Sequence, residues 1–318
     1  MSSHFKCDLP GTVTCLSNNS GRRLRFRTIT VLQDLDSAKA IYKLPASPDA
    51  SEFILNMFLN HSLACDYLGS SFNIAAPALE HGGIKYDYLS GVTLEDAISR
   101  NLLNGDFDSA SRLFMDYIKR ITSLKVAHTV PLEFYNLLAI KHDPTLTLNC
   151  LSLGAIDLIP RNIMISAGNW VVIDNEWFFN FPIPREYLIF RTLQKLAAMI
   201  QIAIRSIASP SVPLIGIFSL GAKTLYLPKQ WLDSVQPYCS NFKTMINWEI
   251  AFQKYVTGSY PRIARLKSKP DTLTSSKLST CEKLLLAAAS TLKRLPGLQT
   301  SLGILDRAIV YSSQRSIS

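Results

Sequence analysis

Apolar and polar residues alternate over Leu24-Arg25-Phe26-Arg27-Thr28-Ile29-Thr30-Val31, which predicts a half-buried strand. Asn18-Asn19-Ser20-Gly21 just before it is a hairpin turn signal. A second short strand is expected over Ala38 to Leu44, with Lys43 near its end. Pro45, Pro48 and Asp49 then break the chain and offer a helix start. From Glu52 to Leu68 the period changes: Phe53, Ile54, Met57, Phe58, Leu63 and Tyr67 recur at helical spacing. Phe72-Asn73-Ile74 and Gly83 to Leu89 return to short strands. Residues 1–89 therefore read as a small β-rich lobe carrying one helix.

Ser90-Gly91 marks a joint, and beyond it the pattern is mostly helical. A helix is expected over Thr93 to Leu102, with Thr93 as its N-cap and Asp96 three residues on. Ser109 to Val126 follows, with Leu113, Phe114, Tyr117, Ile118, Ile121 and Leu124 on one face. Further helices are expected over Tyr187 to Ile207, within Trp231 to Tyr255, and over the Lys- and Leu-rich Ser275 to Leu295. Between them, Trp170-Val171-Val172-Ile173 has the pattern of a buried strand. Ser206 to Ala222 carries no charge but contains Pro210, Pro213 and Gly216, so it reads as a loop or buried segment, short and poorly apolar for a bilayer span. The expected fold class is α+β: a β-rich lobe over residues 1–89, a helical lobe over 90–260 with a short β-hairpin, and a basic helical extension over 261–318.

Composition narrows the classes. Of the 318 residues, 47% are hydrophobic and 18% charged, which excludes a disordered chain. The six cysteines, at 7, 15, 65, 150, 239 and 281, form no Cys-x-x-Cys, so free thiols are expected rather than a disulfide framework or zinc site. Met1 to Asp8 shows no apolar signal core, and the expected location is cytoplasmic. The net charge of +9 is uneven: residues 261–318 hold ten Lys/Arg against three Asp/Glu, a net +7. Such a tail can favour an anionic membrane surface or remain a solvated face. Few aromatics interleave with its charges, so no nucleic acid is expected as a partner.

The candidate chemistry lies in two short segments. Asp157 and Asn162 are five residues apart in Ala155-Ile156-Asp157-Leu158-Ile159-Pro160-Arg161-Asn162, and Asp174 follows twelve residues after Asn162 in Ile173-Asp174-Asn175-Glu176-Trp177. One carboxylate to orient an attacking hydroxyl, and an amide and a second carboxylate to hold Mg²⁺, are what phosphoryl transfer requires. The plainer alternative is a set of turn and cap residues. Lys43, at the end of an apolar strand, can reach nucleotide phosphates if a carboxylate steadies it, and Glu52 is the first acid of the following helix. Glu176 can pair with an Arg or join the metal site. Trp177, Phe178, Phe179 and Phe181 read as core, and His142-Asp143 beside Pro144 reads as a loop pair. Among phosphate-binding signatures, neither a P-loop nor Gly-x-Gly-x-x-Gly occurs, and the N-terminal hairpin holds only Gly11 and Gly21.

Asp157-Leu158-Ile159-Pro160-Arg161-Asn162-Ile163 and Ile173-Asp174-Asn175-Glu176-Trp177 resemble the catalytic loop and metal strand of the protein-kinase-like superfamily, in its aminoglycoside phosphotransferase and choline kinase branch. Tyr86 to Leu94 resembles the hinge and first helix of the large lobe in that branch. The Asp-Leu-Ile-Pro loop is similar to that of kinase domains associated with bacterial surface-polysaccharide modification. The resemblance implies a two-lobed fold and ATP- and Mg²⁺-dependent transfer to a hydroxyl of a small molecule or glycan. It implies Asp157 as catalytic base, Asn162 and Asp174 as Mg²⁺ ligands, and Lys43 as the nucleotide-contacting lysine. Two departures stand out: Ala155 replaces a common His, and the glycine-rich nucleotide loop is missing. They keep two rivals open: an inactive kinase-like binding or scaffold module, and a membrane-peripheral protein working through residues 261–318.

Overall fold

The computed structural model describes residues 9–36, 38–69, 71–207, 209, 211–259 and 263–272. The chain is mixed α+β and divides into two compact units. The first takes its residues from Met1–Val92, Ser123–Leu188 and Asn247–Pro261, and the second from Thr93–Thr122, Ile189–Ile246 and Arg262–Ser318.

The first unit is built on an antiparallel sheet of β1 (Thr12–Asn18), β2 (Thr28–Leu35), β3 (Ala38–Pro45), β5 (Pro77–Glu80) and β6 (Gly83–Asp87). Its spatial order is β1-β2-β3-β6-β5. The two-residue period of β3 gives each face its own core. Ala40, Tyr42 and Leu44 pack with Leu9, Ile29 and Val31. On the other face Ile41 packs against Ile54 and Met57 of helix α1 (Ser51–Leu59) and Ile84 and Tyr86 of β6. Lys43 shares the parity of Ile41, and its pairing with Thr30 and Ile84 sets it mid-sheet, where it is 5% exposed.

Two local expectations are corrected. The alternation over residues 24–31 does not begin a strand: Leu24–Phe26 is a turn of 3₁₀ helix, and β2 starts at Thr28. Phe26 is drawn instead into an aromatic cluster, with ring centroids 5.2 Å from Phe53, 5.0 Å from Trp177 and 5.1 Å from Tyr255. The single helix expected over Glu52 to Leu68 is two, α1 and α2 (His61–Leu68). Asn60 lies between them and donates its side-chain amide to the Phe178 carbonyl at 3.2 Å. A short parallel strand, β4 (Asn73–Ile74), runs beside Val171 and Val172. Gly91 is required at its position because a Cβ there would come within 2.3 Å of the Ile165 carbonyl oxygen.

In the second unit the expected helices are present as Leu94–Leu103, Phe107–Ser123 and the remainder of Arg185–Met199, with Gln201–Ser206 and Lys229–Val235. Trp231 stacks on Phe114 with centroids 4.5 Å apart and donates its indole N–H to Ser111 Oγ at 2.9 Å. The Ser206 to Ala222 stretch is not simply a loop. Leu214–Leu220 is a strand paired on one side with Lys223–Pro228 and on the other with Arg265–Thr272. Its register shifts between Gly216 and Phe218, an irregularity that masks the strand in the sequence. The start of the basic 261–318 segment thus includes a strand, while the helix expected over Ser275 to Leu295 lies outside the described residues. Cys15, Cys65, Cys150 and Cys239 are free thiols. Among the described residues no helix is long and apolar enough to cross a membrane.

Thr93 caps its helix as expected, with Oγ1 accepting from the Asp96 N–H at 3.1 Å. Thr93→Ala should cost about 1 kcal/mol, measured as a shift in the urea midpoint at unchanged m-value.

Candidate active site

Two backbone pairings bring the loops together, both within the first unit. Strands Ile163–Ser166 and Asn169–Val172 form an antiparallel hairpin with Ile163 opposite Val172. The pairing continues one residue further, where the Ile173 N–H donates to the Asn162 carbonyl at 2.9 Å. Asn162 and Asp174 therefore sit at the same open end of the hairpin. On the other side, Gly154–Ala155 pairs with Phe178–Phe179, and the Ile156 N–H donates to the Trp177 carbonyl at 3.1 Å. The Asp157 loop is thus tied at both ends to the segment carrying Asp174 and Glu176. Inside the loop, the Asn162 side-chain amide donates to the Asp157 backbone carbonyl at 2.9 Å. A carbonyl can only accept, so this bond points the amide nitrogen inward and leaves Oδ1 for another partner. Asp157 itself is buried.

Beside these loops lies a cluster of two cations and two carboxylates. Lys43 Nζ is 2.8 Å from Asp174 Oδ1 and 3.0 Å from Glu176 Oε1. Arg22 Nη1 is 2.8 Å from Glu176 Oε2, and Thr28 Oγ1 donates to Glu176 Oε1 at 3.0 Å. The Glu176 backbone N–H donates to Asp174 Oδ1 at 3.1 Å, closing a turn that holds the two carboxylates in order.

The electrostatics follow from that geometry. Burial pushes the Glu176 carboxyl up, but Lys43 and Arg22 outweigh it and hold it at about 2. Burial pushes Lys43 down, and Asp174 and Glu176 together carry it above its ordinary value, so it stays charged. Asp174 is raised, first by burial and then by the neighbouring Glu176, with Lys43 compensating only in part. Glu176 is buried, whereas Asp174 is half-buried, its side chain 27% exposed.

The structure therefore joins Lys43 to Asp174 and sets Asn162 and the Asp157 loop alongside. Glu52 stands exposed in the first turn of α1, and the carboxylates on Lys43 are Asp174 and Glu176. A helix acid was the nearest candidate along the chain, whereas the actual second partner is 133 residues away from Lys43 in numbering. His142 packs its ring against Tyr135 at 4.8 Å and Asp143 accepts from Thr145, away from this chemistry. Trp177 is core, packed against Phe26, Phe53 and Phe252.

No family model and no curated protein matches the chain. Solved structures do. The fold is similar to that of aminoglycoside phosphotransferase APH(2'')-Ib in its ADP-bound form, at 12% identity and a TM-score of 0.34, covering 61% of this chain and 77% of that one. It is similar to the macrolide 2'-phosphotransferase MphH from Brachybacterium faecium, at 11% identity and a TM-score of 0.34, covering 88% and 92%. It is also similar to the choline kinase LicA from Streptococcus pneumoniae, at 11% identity and a TM-score of 0.32, covering 90% and 89%. These are remote likenesses.

Two members of the cluster had no local signal. Arg22 and Thr28 are separated from Glu176 by 154 and 148 residues. Arg22 lies in the run Arg22-Arg23-Leu24-Arg25-Phe26-Arg27, where nothing local distinguishes it from the three other arginines.

Proposed function

We propose that this chain is a phosphotransferase that uses ATP and Mg²⁺ to phosphorylate a hydroxyl of a small molecule or glycan. The observation that carries the reading is the 2.8 Å contact of Lys43 with Asp174, at the hairpin end that also presents Asn162 and is tied to the Asp157 loop.

The donor set suits Mg²⁺. Asn162 Oδ1 and the Asp174 carboxylate are hard oxygen donors at one end of a hairpin. Among the described residues no three His, Cys, Asp or Glu side chains gather as a metal cluster. A site with few protein oxygens fits Mg²⁺, which keeps waters and takes substrate phosphates as its other ligands. Lys43 is a fixed positive charge within the same cluster and suits contact with a phosphate oxygen. Mg-ATP, when bound, supplies the transferable phosphoryl group and neutralises charge developing on its oxygens. Asp157, held on a loop pinned by Asn162 and two strand pairings, would orient the acceptor hydroxyl and take its proton. Most of the rate would come from such positioning and fixed charge. The Asp-Leu-Ile-Pro loop supports including glycans, among them surface polysaccharide, in the acceptor class.

Removing the metal ligand tests this reading. ATP should stabilise the wild-type protein more with Mg²⁺ than without, since a ligand bound only by the folded state raises Tm. Asp174→Ala should abolish the Mg²⁺-dependent part of the shift while the far-ultraviolet spectrum is unchanged. An equal shift in the variant would remove Asp174 from metal binding.

A further inference from the structure

The outward face of α1 and α2 is apolar and symmetric about one residue. Asn60 joins the two helices in helical conformation, with φ −76° and ψ −7°. It also continues their hydrogen-bond ladder: its N–H donates to the Asn56 carbonyl, and its carbonyl accepts from the Ala64 N–H, each at 3.0 Å. Ile54, Met57, Ala64 and Leu68 are buried on the inner side. On the outer side the exposed positions between residues 52 and 66 are centred on Leu59. Asn56 and Ser62 stand three residues to either side of it, Leu55 and Leu63 four, and Glu52 and Asp66 seven.

Leu55, Leu59 and Leu63 are 44%, 59% and 43% exposed. Single exposed leucines are ordinary, but three in line on a helix form a contiguous patch of the kind that marks an interaction site. Leu79, exposed on the edge strand β5, widens it. Leu79 pairs with Ile84, which packs on α1, so both side chains stand on the helix side of the sheet. The charges narrow the occupant. Ser51–Leu68 contains no Lys or Arg, and its two acids, Glu52 and Asp66, close the two ends of the leucine line. An anionic membrane or a nucleic acid would meet only like charge there. The face reads the same in both directions: acid, Leu, amide, Leu, hydroxyl, Leu, acid. A two-fold axis beside Leu59 therefore carries it onto itself, which is the requirement of an isologous contact. Leucines four residues apart form a ridge, and two such ridges interlock at about −50°, which carries the acidic ends of the two helices apart.

We propose that this face is the contact between two copies of the chain, with Leu59 at the two-fold axis and Leu55 of each copy beside Leu63 of the other. The face is small, so the dimer is a weak one, with a dissociation constant on the order of micromolar. The proposal does not rest on the phosphotransfer reading, and its test requires neither nucleotide nor acceptor.

Sedimentation velocity of the full chain over a concentration series tests it. Wild type should pass from monomer to dimer as its concentration rises. Added salt should leave the association unchanged or tighten it, since the charges at its rim are all acidic. Leu59→Asp puts two carboxylates at the axis, and Leu59→Lys two ammonium groups, so each variant alone should associate at least about tenfold more weakly. Mixed in equal amounts, the two should regain a dimer, because the axis then sets a carboxylate against an ammonium. The position is exposed, so the far-ultraviolet spectra and Tm of both variants should match wild type at concentrations where wild type is monomeric. Wild type that stays monomeric on the order of 100 μM would overturn the proposal. So would Leu59→Asp that associates like wild type, or a mixture no tighter than its components. Association that weakens as salt rises would also overturn it, in favour of a charge contact made by the basic residues 261–318.

Discussion

Asp157→Asn is expected to lower kcat by about 10²- to 10⁴-fold while nucleotide affinity stays within a few-fold of wild type. The amide keeps the shape of the carboxylate but cannot take up the acceptor's proton. Three hydrogen bonds that tie the loop to its surroundings remain available in the variant. The Asp157 carbonyl accepts from the Asn162 amide, the Ile156 N–H donates to Trp177, and the Ile173 N–H donates to Asn162. None of these uses the Asp157 carboxylate. The measurement requires an acceptor, found by screening sugars, amino alcohols and lipid-linked glycans with labelled ATP. A kcat equal to wild type would remove the role given to Asp157. Failure of the wild-type protein to bind any nucleotide would end the phosphotransferase reading in favour of an inactive kinase-like module.

The largest stability effect should come from Glu176→Ala. Glu176 receives Lys43, Arg22 and Thr28 at 3.0, 2.8 and 3.0 Å, and it is 5% exposed. Its removal leaves Lys43 with only Asp174 and leaves Arg22 without its ion-pair partner. Breaking a buried pair from one side costs about 3–5 kcal/mol. A chain of this size should lose on the order of 10 °C in Tm. Glu176→Gln keeps an acceptor for Thr28 and should lose less. The pH dependence has a definite sign. The Glu176 carboxyl is held at about 2, below its ordinary 4.5, so its contribution is complete above pH 4.5 and is lost as the pH falls toward 2. Asp174 runs the other way: burial and Glu176 raise it, only partly offset by Lys43, so its ionised form costs stability and that cost eases on acidification. The difference between wild type and Glu176→Gln, followed by denaturant unfolding across that window, should therefore shrink toward low pH. A difference independent of pH would show that Glu176 acts by packing rather than by charge.

Local pattern was sufficient to identify much of this protein. A short apolar run before Pro45 picked out β3 and placed Lys43 on it, helical spacing marked Leu94–Leu103 and Phe107–Ser123, and Thr93 before Asp96 marked a cap. Asp157, Asn162 and Asp174 stood out as candidates because their loop and its neighbouring hairpin lie within eighteen residues of chain. Other features depend on contacts between distant segments. Phe26 alternates with Arg25 and Arg27 as a strand residue would, yet the ring of Trp177, 151 residues on, turns that stretch into a 3₁₀ helix. The strand Leu214–Leu220 is specified by two partner strands rather than by its own residues, because a proline-flanked run with a shifted register gains its hydrogen bonds only once they arrive. Lys43 needed a carboxylate, and the sequence offered the nearby Glu52. Glu176 took that place because sheet pairing, not chain distance, sets which charges are buried together, and a buried ammonium is tolerated only where folding delivers its counter-charges.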